Sequence, residues 1–298
     1  MALTRLVQIV HPEQGRRVGL VDESRLHLLS TYRSIYAFAT AAIETGIELR
    51  ELLSTDLSGI VLDYDEIHAL RSGWTFLPSF DHPRDLARSI VSGCANAHGA
   101  TVDPPKAPPW FYKGNGAHLR AHGEALTIPA FGLSGAEEAE LVGVYLIGPD
   151  GTPHRVGLTP GNEFADPALA SSDPRMLSHA KMRTCAIGPE LVLHAVFEDA
   201  RGSVRVEREG ASIWSRDVAT GSAQTLFSLA EMERNLFQYD AHRVPGDVHI
   251  HYLGGSVSSF GDGVRLQAGD QVVIEWQGYG RALRNLIDQA GSEPAASA

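Results

Sequence analysis

Cysteine is nearly absent from this chain of 298 residues, which holds only Cys94 and Cys185. Two thiols suggest no disulfide framework, and a reducing compartment fits. No apolar run reaches transmembrane length. The apolar stretch within residues 1–10 is too short for a secretory signal, so the expectation is a cytoplasmic protein. Basic residues are also scarce: 25 Lys and Arg stand against 36 Asp and Glu, a formal net charge of −11. That balance argues against nucleic-acid and anionic-membrane partners, because both need a positive surface. It leaves room for an acidic small molecule held by a local cation.

What is present is ordinary for a globular chain. Apolar residues make up 43% and charged residues 20%, and the length supports one or two domains with a sizeable core. Residues 5–11 and 17–21 read as strands around a Pro12–Gly15 turn, with a third strand at 25–29. Ser30 or Thr31 caps a predicted helix over 34–44, where Ile35, Phe38, Ala42 and Ile43 keep a helical stripe, and Gly46 ends it. Shorter helices are expected at 47–53 and 64–71. The Leu77-Pro78 and His82-Pro83 pairs mark extended chain and a boundary, which makes residues 1–86 a small N-terminal α/β domain.

From residue 87 the texture changes to short apolar runs separated by Gly and Pro, the pattern of a β-rich domain. Strands are expected at 89–92, 110–113, 141–147, 155–159, 191–197, 203–209, 211–215, 247–252 and 271–276. Helical turns are expected at 167–170 and 174–176. The clearest helix is 228–238, where Ser228 and Glu231 form a capping box. The fold class is therefore α+β and β-rich, with a second, β-rich domain over 87–290 and a disordered tail at 291–298.

Several chemistries drop out. Gly278-Tyr279-Gly280 and Gly114-Asn115-Gly116 lack the glycine spacing of a dinucleotide loop, and Gly132-Leu133-Ser134-Gly135 is not a nucleophile elbow. His249 and His251 share one strand face and could take a transition metal, or simply pack. Cys185, in an apolar surround, reads as a buried small residue rather than a nucleophile.

The informative stretch is Glu137-Glu138-Ala139-Glu140, followed by the aliphatic run Leu141–Ile147. Residues two apart on a strand share a face, so Glu138 and Glu140 lie side by side. Two carboxylates that close repel unless one is neutralised or a cation sits between them. They form either a hard, all-oxygen divalent-metal site or a solvated acidic turn. Downstream, Glu163 in Gly161–Asp166 can project over a sheet edge. Lys181, flanked by apolar residues, is either a surface lysine or a base whose proton affinity a nearby cation lowers. Gly254-Gly255-Ser256 permits close backbone approach to a ligand.

Taken in order, these pieces resemble the fumarylacetoacetate hydrolase superfamily across residues 88–288. The resemblance rests on Phe111-Tyr112-Lys113, Glu138-Ala139-Glu140, Asn162-Glu163, Ala180-Lys181-Met182-Arg183 and Gly188-Pro189. It continues through Gly246-Asp247, Gly254-Gly255-Ser256, Leu266–Asp270 and Gly278-Tyr279-Gly280-Arg281-Ala282-Leu283-Arg284-Asn285. There are departures. Glu163 replaces the family's third metal-binding aspartate, Met182 follows the lysine where serine is usual, and Gly-Thr-Pro has become Gly-Gly-Ser. In the segment where hydrolytic members carry a water-activating His-Glu dyad, His98 is kept and Thr101 stands in place of the glutamate. The overall pattern is similar to the branch that dehydrates 2-keto-3-deoxy sugar acids.

The resemblance implies a fumarylacetoacetase C-terminal-like mixed β-roll behind the small N-terminal domain, assembled as a homodimer. It implies Glu138, Glu140 and Glu163 as ligands of Mg²⁺ (or Mn²⁺ or Ca²⁺). A 2-keto acid substrate would be held by Lys113, Arg183 and Ser256. Lys181 is then the base for the C3 proton, and His98 the acid for the C4 hydroxyl, giving a 2-oxo-5-aldehyde such as 2-oxoglutarate semialdehyde. Two other classes stay open: a hydrolase of acylpyruvates or 2,4-diketo acids, and a non-catalytic 2-keto acid binding protein.

Overall fold

The computed structural model describes residues 3–95, 97, 98 and 106–291. Its organising strand is Ala139–Ile147, buried at all nine positions. A continuous aliphatic run of that length satisfies two cores at once. Val142, Val144 and Leu146 face one core with Leu6, Phe38, Ile250 and Tyr252. Ala139 and Leu141 face another with Val204, Ile274, Trp276 and Leu283. The strand pairs antiparallel with Pro153–Asn162 on one side and Val248–Tyr252 on the other.

These strands lie inside one large sheet. Its main path runs Leu57–Asp63, Arg25–Leu29, Gly15–Asp22, Thr4–His11, Leu191–Leu193, Pro153–Asn162, Ala139–Ile147, Val248–Tyr252, Ser89–Cys94 and Trp110–Asn115. A second sheet, of Ala211–Thr220, Ala200–Arg208, Gln271–Trp276, Leu283–Gln289 and Leu126–Ile128, supplies Val204, Ile274, Trp276 and Leu283 to the core it shares with Ala139 and Leu141. The architecture is thus α+β and strand-rich, as expected.

The main sheet runs without a break across the expected boundary at residue 86. Thr4–Leu6 pair antiparallel with Leu191–Leu193. Beside that seam the buried Glu190 accepts from Tyr64 Oη at 2.8 Å, Arg5 at 3.1 Å and the backbone N–H of Arg281 at 3.0 Å. The N-terminal segment therefore extends the sheet that carries the rest of the chain.

Local departures from the expected elements have identifiable causes. The first helix spans Ile35–Thr45 and is capped by Ser34, whose Oγ accepts from Ala37 N, rather than by Ser30 or Thr31. The backbone N–H groups of Ser30 and Thr31 are instead spent on Asp56. The strand expected at 155–159 runs on to Asn162 through Pro160. Pro160 costs no ladder bond because it falls between two short partners, Leu191–Leu193 beside Gly157 and Leu158, and Cys185–Ile187 beside Gly161 and Asn162. The strand expected to reach 197 stops at Leu193, where His194 takes a left-handed φ of 56°. Leu57–Asp63 is a strand that was not expected, since Gly59 and a mostly exposed face hide its pattern. Residues 292–298, expected to be disordered, lie outside the described residues.

A second tie across the chain depends on pH. His122 Nδ1 accepts from Arg284 N at 3.2 Å, and its Nε2 lies 2.9 Å from the His68 carbonyl, so the ring is held neutral. Burial, with the adjacent His68, depresses its pKa to about 3. The folded pKa lies below the unfolded value, so this contribution is full above about pH 6.5 and is lost as pH falls towards 3. By pH 5 about 2 kcal/mol of it is lost. Thermal melts between pH 7 and pH 5 should therefore fall more steeply for wild type than for His122→Gln, which keeps a donor and an acceptor but cannot titrate. Parallel slopes would contradict this assignment.

Candidate metal centre

The strand pairing that builds the sheet also brings the acids together. Glu138 precedes and Glu140 lies within Ala139–Ile147, and Ala139 pairs with Asn162. The ladder continues one step further, with Glu163 N–H donating to the Glu138 carbonyl at 3.0 Å. One carboxylate oxygen from each of Glu138, Glu140 and Glu163 lies within 4.8 Å of the others. Glu137 points away from them. It accepts from Ser259 N at 2.6 Å and Ser259 Oγ at 2.8 Å, and so tethers the loop that follows Tyr252.

Lys181 ends the short helix Leu177–Lys181 and reaches into this group. Its Nζ donates to Glu138 Oε1 at 2.6 Å and also to Glu163 Oε2, with the Phe111 ring centroid 5.1 Å away. Burial alone would lower the proton affinity of this amine. Glu138 and Glu163 reverse that and hold the ammonium well above the ordinary lysine range. The lowered pKa expected for Lys181 is therefore not the state of the metal-free protein, because its neighbours here are anions.

The three acids fit a hard divalent cation on grounds of charge. Glu140 is 2% exposed, and the partner of its carboxylate is the Gly254 backbone N–H at 2.6 Å. Burial and the adjacent Glu163 and Glu138 push its pKa well up. Glu138 is likewise pushed up to about 7, first by burial, against the pull of Lys181. Three carboxylates thus face two ammonium groups, Lys181 and Lys113. Ionising all three would leave one buried negative charge uncompensated, which is costly without a further cation, and an all-carboxylate donor set selects Mg²⁺, Mn²⁺ or Ca²⁺ over softer ions.

A cavity of about 180 Å³ opens above the group. Glu138, Glu140, Lys181 and His98 line it with Cys94, Phe111, Leu177, Gly254 and Gly255. A Cβ on Gly255 would come within 3.5 Å of Glu138 Cβ and Glu140 Cγ, so the loop backbone lies against the acids. His98 Nε2 lies 3.1 Å from Thr220 Oγ1 and 3.2 Å from the Gly254 carbonyl, and burial lowers its pKa. Thr101, where the family's glutamate would stand, lies outside the described residues.

The other expected contacts fall elsewhere. Lys113 is completely buried and bonded only to protein groups, so it does not reach the cavity. Arg183 donates to the His179 and Met182 carbonyls and to Asp166, and its guanidinium lies 5.1 Å from the Phe131 ring centroid, outside the cavity. Ser256 is exposed, one residue beyond the Gly254-Gly255 edge. Phe111, Leu177 and Cys94, which form part of the wall, were not singled out for that role from the sequence. Only the aromatic pair before Lys113 could have pointed to Phe111. The Cys94 thiol is pushed up to about 12 by burial and then Glu140, which keeps it protonated.

No family model and no curated protein matches this chain. Solved structures do. A 2-keto-3-deoxyarabinonate dehydratase superposes with a TM-score of 0.75 at 17% identity, covering 97% of this chain and all of the other. A 2-keto-3-deoxy-D-arabinonate dehydratase complexed with magnesium and 2,5-dioxopentanoate gives 0.73 at 17% identity with the same coverage. A 2-hydroxyhepta-2,4-diene-1,7-dioate isomerase from Mycobacterium marinum gives 0.63 at 16% identity, again over 97% and 100%. The chain has the fumarylacetoacetate hydrolase fold. Within that fold the acidic triad sits at the end of two paired central strands, with Glu138 and Glu140 lining one cavity and Glu163 buried behind them. No helix among the described residues is long and apolar enough to cross a membrane.

Two consequences can be measured on Glu140→Gln. Mn²⁺ affinity, read by electron paramagnetic resonance, should fall by at least the roughly 10–100-fold that losing a supporting residue costs. Without metal the same variant should melt higher than wild type at pH 8, by about 1–2 kcal/mol of stability, because the wild-type carboxyl is harder to ionise folded than unfolded and the amide does not titrate. Lower apo stability would mean that Glu140 is compensated by a contact other than a cation.

Proposed function

We propose that the protein is a divalent-metal-dependent lyase that dehydrates a 2-keto-3-deoxy sugar acid of pentonate length. The observation that carries this reading is the placement of Lys181 Nζ beside Glu138 and Glu163 at the floor of a cavity that His98 also lines. The overall likeness to a dehydratase complexed with magnesium and 2,5-dioxopentanoate supports it.

Glu138, Glu140 and Glu163 would hold the cation, Mg²⁺ in the first instance. When bound, the cation supplies electrostatic stabilisation of negative charge developing on the keto oxygen of a 2-keto acid. Lys181 removes a proton from C3 once its ion pairs with Glu138 and Glu163 are relaxed. The electrons of that C–H bond form the C3–C4 double bond as the C4–O bond breaks, and His98 protonates the departing hydroxide to give water. Loss of a proton from C5 and return of one to C3 moves the double bond to C4–C5 and leaves an enol at C5, which gains a proton at C4 and loses one from oxygen to give the aldehyde of a 2-oxo-5-aldehyde. Phe111 and Leu177 wall the cavity with apolar surface, which strengthens the charge interactions inside it.

The test is turnover of 2-keto-3-deoxy-pentonates of both C4 configurations, beside acylpyruvates and a 2,4-diketo acid, with added Mg²⁺. Wild type should yield aldehyde from a pentonate. Lys181→Ala should lower kcat by about 10²–10⁴, and Glu140→Gln should abolish the Mg²⁺ dependence. Cleavage of the diketo acid with pentonates untouched would replace the lyase by a carbon–carbon hydrolase. Binding of 2-keto acids without turnover of any of them would leave a binding protein.

A further inference from the structure

Lys113 does not belong to the cavity wall, yet it is built into the floor beneath it. The reason begins in the strand. Trp110–Asn115 pairs with Ser89–Cys94 so that Val91 faces Gly114 and Ser92 faces Tyr112, which makes Lys113 the extra residue of a bulge. A bulge re-aims the side chain it carries. Here it directs a lysine into the protein, where it is completely buried. Its three N–H donors are matched by three acceptors: Glu163 Oε1 at 2.5 Å, the Phe164 carbonyl at 2.5 Å and the Lys181 carbonyl at 2.8 Å.

Those acceptors belong to the two segments that must be set against each other. Glu163 and Phe164 follow the end of Pro153–Asn162, and Lys181 ends Leu177–Lys181. One other backbone bond, Asp166 N to the Ala180 carbonyl at 3.0 Å, joins them nearby. With Oε1 of Glu163 engaged by Lys113, Oε2 is turned to the Lys181 Nζ side, where the other two acids lie. We propose that Lys113 is a positioning residue of the metal centre. It orients Glu163 as a ligand and fixes the backbone of Lys181 at the distance the chemistry needs. This rests on the reading of Glu138, Glu140 and Glu163 as a divalent-cation site.

The test is Mn²⁺ titration, followed by electron paramagnetic resonance, of wild type, Lys113→Gln, Glu163→Gln and the double variant, with circular dichroism of each. Lys113→Gln keeps an amide for the two carbonyls and removes the charge, whereas Lys113→Met would leave every acceptor without a donor. Its Mn²⁺ affinity should fall about 10–100-fold, and the double variant should bind no more weakly than Glu163→Gln alone, since both changes disable the same ligand. Wild-type affinity in Lys113→Gln, or losses that add fully in the double variant, would overturn the positioning role. A wild-type protein that binds no Mn²⁺ would overturn the metal reading itself, and the role of Lys113 with it.

Discussion

Everything around the centre depends on one electrostatic constraint: three carboxylates are drawn out of water at the end of two paired strands, with too few cations to match them. Lys181 spans Glu138 and Glu163, Lys113 holds the far oxygen of Glu163, and Glu140 has a backbone N–H from Gly254. Such a group is costly to bury. The surrounding structure provides the rigidity that keeps it assembled, and a hard divalent ion is the charge the donor set calls for.

That rigidity comes from the sheet. Ala139–Ile147 is packed on both faces and paired on both edges, so the two glutamates near its start cannot drift. Its partner delivers Glu163 by register rather than by loop flexibility. The N-terminal strands join the same sheet beyond Leu191–Leu193, and the buried ties at Glu190 and His122 lock them to the C-terminal strands. The short N-terminal unit thus acts as a brace for the strand pair that carries the acids.

The fold is shared with solved dehydratase and isomerase structures at 16–18% identity, so the specific chemistry must be argued from the cavity. Apart from Cys94, the ionisable groups that line the cavity are ones a 2-keto acid reaction can use: two acids for a cation, an amine beside them and an imidazole in the wall. The Cys94 thiol in the same wall is held protonated and plays no such part.

Much of this was legible in the chain. The alternation of Glu138 and Glu140 before an aliphatic run, the capping box at Ser228 and the Gly46 stop follow from local rules, because strand and helix periodicity place side chains without reference to distant residues. The order of the weak pieces from Phe111 to Asn285 carried the family resemblance and with it the fold. Other features could not be read locally. Lys113 looked like a substrate contact until the bulge opposite Val91 and Ser92 turned it inward. The family resemblance implied a substrate contact for Arg183, but Asp166 and two carbonyls hold it outside the cavity. The sign of the shift on Lys181 depends on which charges lie within a few ångström, and that is set by strand pairing between residues far apart in the chain. The sequence by itself determined which residue types were available and that Glu138 and Glu140 share a face at the start of an aliphatic strand. The tertiary structure decided which of the lysines serve the cavity and which serve the acids, because direction and burial are properties of packing and not of order along the chain.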